Sequence, residues 1–305
     1  MKKKFLTIAA LGVAASLTLA GCSGDGTGGT GGTAGDDNAT GDKGTITLGF
    51  LPSWTDGLST AYLLQNQLEK IGYTVEMKTL TEAGPLYTGL AQGDVDMYPS
   101  AWPELTHASY MEKYGDDIED LGTYYDNAKL TIAVPEYSEL TSIEDLKGKG
   151  AEFDGKIIGI EPGAGLTAQT EKMIPAYGLE GEYQLVTSST AAMLTELKTA
   201  TDKQEDLVVT LWRPFWANDA FAMKDLEDPM GAMGEAEGLH FLGTKGFADE
   251  FPEAAELIEK IKLDDAQYGS LEDLVVNEYG EGKEADAVDA WLEEYGDQFD
   301  WVVTS

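Results

Sequence analysis

The sequence predicts an α/β protein built as two lobes. Three observations carry this. Strand-like and helix-like runs alternate from Thr45 onward, the alternation restarts after the first hundred-odd residues, and glycine turns and tryptophans gather where strands end. A chain of 305 residues with 42% hydrophobic content can bury two cores. In sheets of this class, ligands sit at the carboxyl ends of the strands.

Each element follows from its pattern. Thr45–Phe50 alternates with period two and reads as a strand. From Leu58 to Ile71, the residues Ala61, Leu64, Leu68 and Ile71 fall on one helical face, and Gly72 ends that helix. Tyr73 to Met77 starts a new strand. Gly84-Pro85 opens a short helix, with proline where a missing N–H costs nothing. Val95 to Tyr98 alternates again. The rhythm resumes with the apolar run Leu130 to Val134, ended by Pro135, and with a strand over Lys156 to Ile160. Helices are predicted over Leu166–Tyr177 and Thr190–Thr199, and a strand over Leu207–Leu211 after them. Ala254, Leu257, Ile258 and Ile261 share one face of a last helix, Glu253–Lys262. No short-period repeat is present.

The first 44 residues read differently. Met1-Lys2-Lys3-Lys4 is a positive n-region, and Phe5 to Leu17 is an apolar stretch too short to span a bilayer. Leu19-Ala20-Gly21-Cys22 resembles a bacterial lipobox, which makes residues 1–21 a lipoprotein signal peptide and Cys22 the lipidated N-terminus. Cys22 is the only cysteine, so no disulfide can form within the chain. Residues 22–44 are rich in glycine, threonine and aspartate and read as a flexible tether. The protein is therefore expected outside the cytoplasm, held to the outer face of the cell membrane by its lipid alone. No later run is apolar enough to cross a membrane. The formal net charge of -35, from 55 acidic against 20 basic residues, repels nucleic acid and anionic headgroups. It reads as a solubility device or as adaptation to a salty exterior.

Enzyme chemistry has little to stand on. The chain has two histidines, His107 and His240, and no Cys/His cluster for a metal. Neither a nucleophile elbow nor a phosphate-binding loop is present. No cofactor is expected. Gly163 to Ala168 formally fits G-x-G-x-x-[GA] after a strand, but it follows a complete α/β unit and lies in an extracytoplasmic chain, which argues against a dinucleotide. Two readings stay open for Gly163-Ala164-Gly165: a tight turn without a ligand, and a seat for a small anion on the free N–H groups of a helix start.

The tryptophans point further. Trp54, Trp102 and Trp212 each stand where a strand ends, beside proline or polar residues. Any one of them alone reads as a core aromatic. Three at the same station suggest a set of ring faces for a quaternary ammonium, a cation with no N–H to recognise. Trp216, beyond Pro214, reads as a packing residue, and Arg213 as a brace pointing away from a bound cation.

Trp54, Trp102 and Trp212, with Gly163-Ala164-Gly165 and the lipobox, resemble the glycine betaine (quaternary amine) substrate-binding lipoproteins of ABC importers. Glu82-Ala83-Gly84-Pro85, Ser188 to Met193 and Leu226-Glu227-Asp228-Pro229 extend the likeness, from about Thr45 to near the C-terminus. The resemblance implies a two-lobed, periplasmic-binding-protein-like fold of type II, with the ligand in the cleft between lobes. Lobe 1 would comprise 45–132 plus 240–305, and lobe 2 would comprise 133–239. Trp54, Trp102 and Trp212 would box the trimethylammonium, the backbone N–H groups of Gly165 and Leu166 would hold the carboxylate, and His107 would add a hydrogen bond to it. The loop Pro103-Glu104-Leu105-Thr106 departs from the family pattern, and by itself a lone histidine at 107 reads as a surface residue. The partners implied are a betaine-type small molecule and an ABC transporter permease. Choline, carnitine or proline betaine is the alternative ligand, and a secreted α/β enzyme the remaining alternative.

Overall fold

The computed structural model describes residues 43–304, so the predicted signal peptide, Cys22 and nearly all of the tether lie outside the described residues. Along the chain run β1 (Thr45–Phe50), α1 (Thr55–Lys70), β2 (Thr74–Thr79), α2 (Ala83–Gln92), β3 (Met97–Ala101), α3 (Ala108–Tyr114) and β4 (Ile118–Pro135). There follow β5 (Lys156–Ile158), α4 (Gly165–Ala176), β6 (Gln184–Val186), α5 (Thr190–Lys203), β7 (Val209–Arg213), α6 (Ala217–Ala220) and β8 (Met223–Asp225). The last part holds β9 (Glu237–Thr244), α7 (Phe247–Glu250), α8 (Pro252–Lys260), α9 (Asp265–Asp273) and α10 (Glu284–Tyr295).

The strands join in the order β2-β1-β3-β9-β4-β7-β5-β6, with β8 also beside β4. β4 is the element the two halves share. Its 18 residues pair with β9 from Ile118 to Ala128, then with β7 from Lys129 to Ala133. The first half-sheet is thus β2, β1, β3, β9 and the start of β4. The second is the end of β4 with β7, β5, β6 and β8. In the first, β1 runs parallel to β2 and β3; in the second, β5 runs parallel to β6 and β7. The loops leaving β1 and β3, the turn leaving β5 and the last residues of β7 therefore lie at strand carboxyl ends, where a ligand of such a sheet is expected.

Three departures from the expected pattern have physical causes. The first half of β4 carries no strand signature in the sequence, because its register shifts at three places against β9 and breaks the alternation that marks a strand. β9 is paired on both sides and buries Leu239, Phe241 and Leu242, so it also shows no clean period. β9 pairs antiparallel with both β3 and β4. α9 and α10 are rich in acidic residues, which hides their apolar faces. α10 packs against α1 and buries Ala287, Val288, Trp291 and Leu292.

Trp291 is fully buried, its indole N–H donates to Ser270 Oγ at 2.8 Å, and its ring lies on Phe299 at 5.3 Å. Trp291→Ala is expected to lower unfolding free energy by about 3–5 kcal/mol, the usual range for a buried large aromatic. Chemical denaturation measures this, and a loss below about 1 kcal/mol would contradict the packing role.

Candidate ligand-binding site

One cavity of about 340 Å³ empty volume lies between the two half-sheets, and Trp54, Trp102, His107, Gly165, Leu166 and Trp212 all line it. Trp54 and Trp102 leave β1 and β3 of the first half-sheet, whereas Trp212 is the penultimate residue of β7 in the second. All three are buried and line the cavity.

Each ring is held from behind. The Trp54 indole N–H donates to Glu161 Oε2 at 3.3 Å, and the ring stacks on His107 at 6.1 Å with planes 15° apart. The Trp102 indole N–H donates to Asp56 Oδ2 at 3.4 Å. The same carboxylate accepts from Ser100 Oγ at 2.6 Å. Trp212 stacks on Phe215 with centroids 3.9 Å apart. Asn218 fixes the turn between them by donating to the carbonyls of Trp212 and Phe215, both at 2.9 Å. The Arg213–Pro214 peptide within this turn is cis. With the rings anchored by packing and their N–H edges, little rotamer freedom is left to lose when a ligand enters.

Gly165 and Leu166, also in the lining, open α4, whose N-cap residue Ala164 offers no side-chain hydrogen bond. Their N–H groups belong to the first turn, which has no intrahelical acceptor. The carbonyl of Thr106, from the other half-sheet, presses on this turn: a Cβ on Gly165 would lie 1.9 Å from it. Only glycine tolerates that approach. Tyr110 reaches across as well, donating its hydroxyl to the Gly163 carbonyl at 2.8 Å. Glu237 on β9 sets the Thr106 backbone by accepting from Leu105 N at 2.9 Å, Thr106 N at 3.1 Å and the Thr106 hydroxyl.

His107 is buried, not the surface residue that a lone histidine suggests. The Trp102 backbone N–H donates to its Nδ1 at 3.1 Å, so the neutral ring carries its proton on Nε2. Burial pushes its pKa down to about 3, which keeps it neutral near pH 7. The ring is thus a hydrogen-bond donor without charge.

Asp56, Thr106, Leu130, Ile160 and Ala164 complete the lining; of these only Ala164 belongs to a motif singled out from the sequence, and none was named as a ligand contact. Nor were the buried carboxylates Glu161 and Glu272. With 55 acidic residues, no spacing marks these few, although Asp56 and Glu161 adjoin the tryptophan and glycine motifs. Burial raises the pKa of Asp56 against the lowering effect of the Ser100 and Trp102 hydrogen bonds. Burial also pushes Glu272 up to about 8; Thr55 donates to it at 2.5 Å and the Trp216 backbone N–H also donates, while Asp56 nearby raises it further. Trp216 lies outside the cavity, packed against Phe215 and Phe221. Arg213 turns away from it to a two-pronged bond with Asp225, at 2.6 and 3.1 Å. Among the described residues no group of His, Cys, Asp and Glu is arranged to hold a metal.

Comparison with known proteins identifies the family and the fold. A family described as the substrate binding domain of ABC-type glycine betaine transport systems matches residues 44–294. The glycine betaine/carnitine transport binding protein GbuC of Listeria monocytogenes is 37% identical over 114 residues, a match spanning 37% of this chain and 38% of that protein. The crystal structure of a glycine betaine, L-proline ABC transporter binding protein (ProX) from Borrelia burgdorferi superposes with a TM-score of 0.77 at 32% identity, covering 83% of this chain and 94% of the other. Lactococcal OpuAC, in its closed-liganded conformation complexed with glycine betaine, gives 0.76 at 28% identity, covering 85% and 99%. These neighbours establish the two-lobed, type II binding-protein fold.

Two buried groups set opposite pH dependences of stability. Glu272 keeps its proton to about pH 8 when folded but only to its ordinary 4.5 when unfolded, so its contribution falls as pH rises through that window. His107 contributes stability above its ordinary 6.5, and that share is lost as pH falls toward 3. They oppose each other between 4.5 and 6.5, and above 6.5 the Glu272 effect stands without that opposition. Glu272→Gln should therefore flatten the decline between pH 6.5 and 8, by up to about 1.4 kcal/mol per pH unit. Denaturation midpoints measured across this range decide it, and parallel curves for the two proteins would show Glu272 ionised in the fold.

Proposed function

The chain belongs to the family of substrate-binding domains of ABC-type glycine betaine transport systems, and on that premise we propose that it captures glycine betaine, or a close quaternary-ammonium osmolyte, and delivers it to an ABC transporter permease. The observation that carries the reading is one cavity lined together by three tryptophans, two from the first half-sheet and one from the second, and by the start of a helix. In this reading Trp54, Trp102 and Trp212 surround the trimethylammonium. Each ring face contributes about 0.5–2 kcal/mol, and more as water is excluded. Asp56 stands behind Trp102 and adds negative potential. The N–H groups of Gly165 and Leu166 take the carboxylate, and His107 Nε2–H adds a third donor. Uncharged rings resist screening, which suits an osmolyte receptor that works in salt.

In this reading lobe 1 comprises 45–132 plus 240–305 and lobe 2 comprises 133–239; the sheet pairing supports the two-lobed layout but puts the crossings a few residues earlier, at 128/129 within β4 and just before β9 at 237. Two sides joined by few crossings can hinge, and a ligand that touches both favours their closure. The anchor belongs to the proposal too: lipidation at Cys22 would hold the domain at the outer face of the membrane, beside the permease. Choline, carnitine and proline betaine are the alternative ligands. Choline has no carboxylate and gains nothing from the helix start.

Titration with glycine betaine, followed by tryptophan fluorescence, is expected to saturate below millimolar ligand. Trp212→Ala should raise Kd at least about tenfold, the equivalent of one good ring contact. Trp291→Ala should leave Kd unchanged in whatever fraction folds. Absence of any response, or equal effects of the two substitutions, overturns the assignment, and choline competing on equal terms would show that the helix start goes unused. Cys22→Ser should release the protein from cell membranes into the medium. Retention of that variant on the membrane overturns the anchor.

A further inference from the structure

We infer that Glu161 is a positioning residue for the cleft: a carboxylate on the second half-sheet that grips Trp54 of the first by its indole N–H when the two sides meet, and so slows ligand escape. The inference rests on the binding reading above. Glu161 itself stays out of the cavity and acts through the ring.

The second half-sheet side fixes Glu161 without help from Trp54. The Thr190 backbone N–H donates to Oε1 at 2.9 Å and the Thr190 hydroxyl to Oε2 at 2.8 Å. Its carbonyl accepts from Thr167 Oγ1 at 2.8 Å and Ala164 N at 3.0 Å. Each carboxylate oxygen then has capacity left, and both remaining donors come from the loop after β1: Trp54 Nε1 at 3.3 Å to Oε2, and Ser53 Oγ at 3.5 Å to Oε1. Glu161 is 5% exposed and makes no ion pair among the described residues. A buried carboxylate with no cation depends on every N–H and O–H donor it can reach. When the sides part, water replaces Trp54 and Ser53; when they meet, that water leaves and the two donors must be in place. The bond therefore belongs to the joined state alone.

Two consequences follow. The indole is pinned at its far edge while His107 stacks on its face, so the ring is presented to the cavity in one orientation. An anion at the N–H edge also polarises the ring and makes its face a better partner for a cation. An interaction made only in the joined state acts on dissociation much more than on association.

Glu161→Gln tests this. Glutamine has the same shape but only one acceptor oxygen, and the Thr190 and Trp54 N–H groups need two, so one must face an amide N–H. Stopped-flow fluorescence with glycine betaine should show the dissociation rate rising at least about tenfold with the association rate within about threefold. The denaturation midpoint without ligand should not move, and the shift that ligand produces should shrink. An unchanged dissociation rate, or equal destabilisation with and without ligand, overturns the inference. Should Glu161→Gln not fold, Glu161→Asp keeps the charge, shortens the reach and is expected to show the same kinetic signature. If wild-type protein binds none of glycine betaine, choline, carnitine or proline betaine, the functional reading fails on its own. The positioning role is then decided by spin labels at the exposed positions 76 and 198 in a Cys22→Ser background. Wild type should hold a shorter interlabel distance than Glu161→Gln, and identical distributions overturn it.

Discussion

The carbonyl of Thr106 lies against the Cα of Gly165, one half of the protein against the other, and the site depends on this contact. No Cβ fits between them, since it would stand 1.9 Å from the oxygen. The contact places the start of α4 against the loop after β3, and so sets the distance between the helix N–H groups and the tryptophan rings. The loop cannot drift, because Glu237 on β9 holds its two N–H groups and a hydroxyl together. Glycine at 165 is thus a requirement of contact between halves, and the turn conformation is secondary.

Charge is layered around this contact. The surface is strongly acidic, yet the cavity is lined mainly by rings and apolar groups, and Asp56 is the one carboxylate in its lining. Asp56 and Glu161 each take the indole N–H of a different tryptophan. Glu272 is buried one step further back, against Thr55 and the Trp216 backbone. Buried carboxylates such as Asp56 and Glu161 cost desolvation and each collects several donors, whereas Glu272 escapes that cost by keeping its proton to about pH 8.

Trp212 and Trp216 show how neighbours in sequence separate in space. Both follow or end β7, both are aromatic, and only Trp212 faces the cavity. The turn through Pro214, held by Asn218, lays Phe215 against Trp212 and turns Trp216 toward Phe221. Arg213 is carried to Asp225 on the other face of the same turn.

Much of this was determined by sequence alone. Local periodicity located β1, α1, β5, α4, α5 and α8 within a few residues, because their burial alternates regularly and caps or glycines end them. The three tryptophans and the Gly163-Ala164-Gly165 turn were legible because rare residues recur at strand ends. What tertiary structure decided is of another kind. β9 and the first half of β4 stabilise each other by pairing across more than a hundred residues, with bulges that erase any period. His107 became a buried neutral donor only when the Trp102 backbone closed on its Nδ1. Asp56, Glu161 and Glu272 were three carboxylates among many until folding removed water from them. A carboxylate's role depends on its solvent and its donors, and those are supplied by segments far away in the chain.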